Sequence, residues 1–220
     1  MTQHPQIAVD GEKLVRLGAE EQRAYLDARY TADLPSAVTA AGFKTKLKDV
    51  ASLQEFAACL TTHQVRIITL VRANRVKLAV STLNARRIHA QHGRWNLVKG
   101  ESQLPPLNAS VDEILTTIAN VDEAQQHVVA FARQLPLPRL ELTYEELLQD
   151  HEATIARLEA FLEVDARPLT GSVAKATEDD LRKSVVAYDT LESRLRGTIY
   201  ECDLVDNRHE TSHSPEKARK

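Results

Sequence analysis

Residues 65–96 read VRIITLVRANRVKLAVSTLNARRIHAQHGRWN, and the fold turns on how this stretch divides. Residues 65–71 are mostly branched apolar side chains, the composition of a buried strand, and the run ends at Arg72. Beyond it Val76, Ala79, Val80 and Leu83 recur at three- and four-residue spacing, which predicts a helix. A strand that delivers directly into a helix is the repeating unit of a parallel sheet covered by helices.

Working outward, residues 43–47 and 140–143 carry further strand signals, with a weaker one at 7–9. Leu53, Phe56, Ala57 and Leu60 predict a helix after the first of these. Residues 110–135 form a long amphipathic segment opened by Ser110 and Glu113, with Ile114, Ile118, Val121, Val128 and Ala132 on one face; it stops at Pro136 and Pro138. After the third strand come two helical pieces broken around Asp150. A last helix is expected to start after Thr177 and to carry Leu181, Val185, Tyr188 and Leu195 inward. Residues 97–108, with Pro105 and Pro106, read as a surface loop. From residue 206 the polar sequence DNRHETSHSPEKARK cannot offset the entropy of ordering its backbone, so residues 1–205 are expected as one α/β domain and 206–220 as a disordered tail.

Composition narrows the function. The 220 residues are 43% hydrophobic and 27% charged with a formal charge of -3, so the chain exerts no general pull on nucleic acid or anionic membrane. Arg72, Arg75, Lys77, Arg86, Arg87 and Arg94 could form a local nucleic-acid patch, but interleaved aromatics are missing. Cys59 and Cys202 read as free thiols of a reducing compartment, and the eight histidines show no ligand spacing, so no metal is expected. No apolar run reaches the roughly 20 residues that span a bilayer, and MTQHPQIAVDGEK lacks the regions of a signal peptide; a cytoplasmic protein without a transmembrane segment is expected.

Ligands of open parallel sheets bind at the carboxyl ends of strands, where Arg72 falls. A guanidinium grips a phosphate through two parallel hydrogen bonds, and a serine hydroxyl adds a donor without charge. Lys77, Ser81, Asn84 and Ile88 share one helical stripe that could face a ligand. A solvated arginine and a serine that merely packs are the alternative reading of the same residues.

The blocks GFKTKLKDV, RIITLVRANRVKLAVSTLNARR, GRWNL, LELTYEELLQDHEATIARLEAFLEV and KATEDDLRKSVVAYDTLESRLRGTIYE, in this order between Gly11 and Tyr200, resemble the sulfotransferase family, specifically its bacterial carbohydrate and lipid branch. The resemblance implies a P-loop-like parallel sheet flanked by helices, with a helix-rich carboxyl-terminal half. It implies sulfuryl transfer from 3'-phosphoadenosine 5'-phosphosulfate, without a metal, to a hydroxyl of a carbohydrate or glycolipid. Arg72, Asn74 and Ser81 would then bind the donor's 3'-phosphate side, and Lys175 its phosphates. Glu12 would be the general base and Lys44 the cation that meets developing charge, while Asn84, Trp95 and Asn96 would help form the acceptor pocket. In the TYEEL block, Tyr144 is expected to pack at a strand end and Glu145 to meet a basic neighbour.

The family's initial strand and its Arg, Ser, Gly and Thr-rich loop, which cradles the 5'-phosphosulfate, have no counterpart here, so the first strand is expected to be missing. A non-catalytic nucleotide-binding remnant, or a regulatory partner of a sulfotransferase, is therefore the competing reading. A homo-oligomer is compatible with either.

Overall fold

The four strands described all pair in parallel, in two separate pairs. A computed structural model describes residues 4–97, 101–169 and 180–204. In it β1 (Ile7–Glu12) pairs with β2 (Ala40–Lys44), and β3 (Ile67–Val71) pairs with β4 (Arg139–Thr143). Helices follow or separate the strands: α1 (Ala19–Thr31), α2 (Leu53–Thr62), α3 (Arg75–His92), α4 (Val111–Gln134), α5 (Tyr144–Gln149), α6 (His151–Leu162), α7 (Leu181–Ser184) and α8 (Tyr188–Leu195). The chain forms two compact units, one from residues 1–73 and 123–171, the other from 74–122 and 172–220.

The first unit holds all four strands. Its core is Leu14, Leu26, Phe56, Cys59, Leu60, Val65, Leu135 and Leu137, flanked by Tyr25, Tyr30, Phe43 and Phe131. The helix α1 lies between β1 and β2 in sequence and is tied to both by Arg29, whose guanidinium donates to the carbonyls of Ala8 (2.6 Å) and Gly42 (3.3 Å). Two caps position the connection after β4. Thr143 accepts from the Glu146 N–H at 3.1 Å while Glu146 accepts from the Thr143 N–H at 2.7 Å, and Asp150 caps α6 through the Ala153 N–H at 3.0 Å.

The second unit is helical. Val76, Ala79, Val80 and Leu83 of α3 pack with Ile114 and Ile118 of α4 and with Leu181, Val185, Tyr188, Leu191 and Leu195.

Four sequence expectations change. The strand expected at 43–47 lies at Ala40–Lys44, and Leu47–Asp49 is a 3-10 turn. The weak signal at 7–9 extends to Glu12. The single last helix is two, because Val185 adopts extended backbone and bridges to Leu107: Leu107 N–H donates to the Ser184 carbonyl (2.7 Å) and Val186 N–H to the Leu107 carbonyl (3.0 Å). The same bridge anchors the loop expected at 97–108: among its described residues Leu97 and Leu107 are buried, while Glu101, Ser102, Gln103, Pro105, Pro106 and Asn108 are exposed. The helix α1 was not expected at all. The tail 206–220, Thr177 and Lys175 lie outside the described residues.

Candidate active site

The carboxyl end of the β1–β2 pair gathers charge. The register of this pair shifts between Asp10 and Glu12, which sets Glu12 opposite Lys44. Its carboxylate meets Lys44 Nζ at 3.1 Å through one oxygen and Lys46 Nζ at 2.8 Å through the other. The hydrogen bond from Lys46, followed by the smaller contribution of Lys44, outweighs desolvation and holds the Glu12 carboxyl below its ordinary range. Two ammonium groups around one carboxylate leave a net positive, solvent-facing cluster. The sequence-expected pair Glu12 and Lys44 is thus brought together. Lys46 was missed, although two-residue alternation along an extended segment puts it on the same side as Lys44.

At the carboxyl end of β3, Arg72 is fixed at its backbone by the Gln125 side chain. The Arg72 N–H donates to Gln125 Oε1 at 2.6 Å, and Gln125 Nε2 donates back to the Arg72 carbonyl at 3.1 Å. The Arg72 guanidinium lies over the Tyr144 ring, 4.9 Å from its centre, with Nε 3.8 Å from Glu145. Glu145 also accepts from the Ala73 N–H at 2.8 Å. The TYEEL block therefore packs against the strand end and meets its basic neighbour as expected. Nothing local in the sequence points to Gln125, which reaches the site from α4.

Asn74, Ser81, Asn84, Trp95 and Asn96 belong to the second unit. Asn74 is the N-cap of α3: its Oδ1 accepts from the Lys77 N–H at 2.7 Å, and its Nδ2 donates to the Asp203 carbonyl at 2.7 Å. Asp203 also places its carboxylate at this helix start, accepting from the Arg75 N–H (3.0 Å) and Arg75 Nε (2.8 Å). Ser81 is exposed on α3. Asn84 is not: only 1% accessible, it offers no surface to an acceptor, and its Oδ1 instead accepts from Arg87 at 2.7 Å. The stripe expected to face a ligand is therefore divided, with Asn84 and Ile88 in the interior. Trp95 is 56% exposed and stacks on His89 with ring centres 4.2 Å apart; Asn96 beside it is exposed.

Chemically, the first unit offers an ionised carboxylate between two lysines and an arginine held at a strand end. The second offers an exposed hydroxyl and an exposed indole.

Among solved structures, the crystal structure of a sulfotransferase from Alicyclobacillus acidocaldarius is similar at 17% identity, over 88% of this chain and 85% of that one, with a TM-score of 0.42. No curated protein matches the sequence. Among the described residues no helix is long and apolar enough to cross a membrane. The profile of the sulfotransferase domain matches residues 31–199, most of the chain and the whole strand-to-helix junction at Arg72, so the chain belongs to the sulfotransferase family.

Proposed function

We propose that the protein transfers a sulfuryl group from 3'-phosphoadenosine 5'-phosphosulfate to a hydroxyl of a carbohydrate or glycolipid. The observation that carries this reading is Arg72, set at the carboxyl end of β3 immediately before α3, inside residues that match the family. A guanidinium resting on the Tyr144 ring, on a backbone that Gln125 fixes, is a preorganised partner for a phosphate. Ser81 supplies a second, uncharged donor toward the 3'-phosphate, the family's pattern assigning both residues to it. Asn74 supports this end of the nucleotide as the cap that fixes the start of α3. Lys175 is assigned to the phosphates on the same family pattern.

In the transfer, the acceptor oxygen attacks sulfur in line with the departing phosphate oxygen. The sulfur–oxygen bond to the phosphate breaks, and its electron pair leaves with adenosine 3',5'-bisphosphate. Glu12 takes the acceptor's proton: its lysine neighbours keep it ionised, the state a base needs, while reducing its basicity. Lys44, with Lys46 beside it, offsets negative charge as it builds on the leaving group. Trp95 and Asn96, both exposed, receive the acceptor, an indole face being well matched to a sugar ring. The two cysteines are free thiols, which agrees with a cytoplasmic setting.

A second reading, nucleotide binding without transfer, is favoured by one observation. At the β1-to-α1 turn the Gly18 N–H is already bound by the Glu21 carboxylate at 2.7 Å, and Glu20 adds a second negative charge to the first turn of α1. With that N–H occupied and the first turn acidic, this helix start is poorly set to cradle a phosphosulfate. Incubation with the donor and a panel of glycan and glycolipid acceptors, following release of adenosine 3',5'-bisphosphate, separates the readings. Release that requires the acceptor hydroxyl supports transfer; tight binding of the bisphosphate without release supports the second reading.

A further inference from the structure

Among the described residues, one group of sulfur, nitrogen and carboxylate ligand atoms converges: Asp27 of α1 with Cys59 and His63 at the end of α2. Cys59 and His63 are four residues apart, a spacing that puts both side chains on one helical face. Asp27 comes from the helix packed beside it through the core of the first unit. Its Oδ1 lies 3.0 Å from His63 Nε2 and 3.7 Å from Cys59 Sγ, and all three ligand atoms are within 4.8 Å of one another. Tetrahedral zinc, with bonds of about 2.3 Å to sulfur and about 2.1 Å to nitrogen and oxygen, keeps its ligand atoms roughly 3.4–3.6 Å apart, so no pair of the trio has to close by more than about 1.2–1.4 Å.

We propose that Asp27, Cys59 and His63 bind a zinc ion between α1 and α2, with water at the fourth position. The donor set fits: one thiolate, one imidazole and one carboxylate suit zinc and not the all-oxygen preference of magnesium or calcium. The position fits as well, since His63 is the C-cap of α2, where unpaired helix carbonyls favour a cation. The Tyr30 ring lies against the His63 ring with centres 5.3 Å apart and restricts its orientation. Arg23 approaches the other Asp27 oxygen, Oδ2, at 3.8 Å, which leaves Oδ1 facing the trio. Cys59 is buried while Asp27 is half-exposed, so the ion enters past the carboxylate.

Binding displaces the Cys59 thiol proton to solvent, and His63 Nε2 must carry no proton for its lone pair to reach the ion. Before that, burial and the Asp27 charge push the thiol up and keep it protonated. This site shares no residue with the sulfuryl-transfer reading and stands whether or not that reading holds.

The test uses the full chain, stripped with a chelator and titrated with cobalt(II). A thiolate-to-cobalt charge-transfer band with intense tetrahedral d–d absorption, saturating at one equivalent and bleached by zinc, is the expected result. Cys59→Ser should abolish the charge-transfer band, and Cys202→Ser should leave it unchanged. Asp27→Asn and His63→Gln should each weaken zinc binding by more than about tenfold, since even outer-shell changes at metal sites reach that size. Asp27, half-exposed, decides the matter should His63→Gln fail to fold. The proposal is overturned if the native chain gives no charge-transfer band, if the band survives in Cys59→Ser, or if Asp27→Asn binds zinc as tightly as the native chain.

Discussion

Glu12 carries its negative charge against two lysines that come from the neighbouring strand and the turn beyond it, and this gives it two separable consequences. Its folded pKa lies below the unfolded value, so the pairing stabilises the protein above the ordinary carboxylate pKa of about 4.3 and the contribution is lost as pH falls through the lower folded value. Urea unfolding of the native chain and of Glu12→Gln should therefore differ at neutral pH and converge in acid. A gap that persists below the titration range would mean packing, not charge, separates them. In turnover, Glu12→Gln should lower kcat by about 10²–10⁴ with little change in nucleotide affinity, the range of a removed general base. Glu12 and Lys44 were both legible as candidates in the sequence. Their contact was not, because it depends on a register shift at Gly11 that no local pattern announces. Asp27, Cys59 and His63 were illegible for the same reason: Cys59 and His63 stand one helical turn apart, but the carboxylate that completes the group lies on another helix.

At the scale of elements, the reciprocal Thr143–Glu146 cap fixes where β4 ends and α5 begins, and so where Tyr144 and Glu145 stand against Arg72. Thr143→Ala should destabilise the protein by about 1 kcal/mol, the usual cost of removing an N-cap hydroxyl, read as a shift in the urea midpoint without a change in slope. The strands β3 and β4 and the helices α2 to α6 could be read from the sequence because apolar spacing and caps agree there, whereas β2 begins three residues before its expected start. The helix α1 could not: its buried residues are Gln22 and Leu26, and the Gln22 amide donates to the carbonyls of Leu14 (2.9 Å) and Asp49 (2.7 Å). A helix anchored by a buried amide has too little apolar periodicity to be seen. The split between α7 and α8 was hidden by a different cause. Leu181, Val185 and Tyr188 keep helical spacing, while the backbone of Val185 is claimed by Leu107, more than seventy residues away in sequence.

At the scale of the whole molecule, the family match extends from residue 31 to residue 199, and the sharpest global readout of the proposed donor is stabilisation by a nucleotide. A ligand that binds only the folded chain adds about 2.7 kcal/mol at a hundred times its dissociation constant, which for a protein of this size is a rise in Tm of roughly 5–10 °C. Adenosine 3',5'-bisphosphate should produce a rise of this order. Arg72→Ala should remove it, and because Arg72 also packs on Tyr144, the comparison must be the ligand-induced shift and not the starting Tm. Arg72→Lys keeps the charge but not the two parallel hydrogen bonds of a guanidinium, so it should retain only part of the shift. Ser81→Ala, at an exposed hydroxyl, should leave the starting Tm in place and reduce the shift. Equal shifts in all four proteins would remove Arg72 and Ser81 from the nucleotide site while leaving family membership untouched. A graded loss in the order serine to alanine, arginine to lysine, arginine to alanine would assign a phosphate of the nucleotide to them, the ranking expected of a bidentate cation aided by a neutral donor. A smaller effect of the Arg72 and Ser81 variants on the shift given by adenosine 5'-monophosphate would make it the 3'-phosphate.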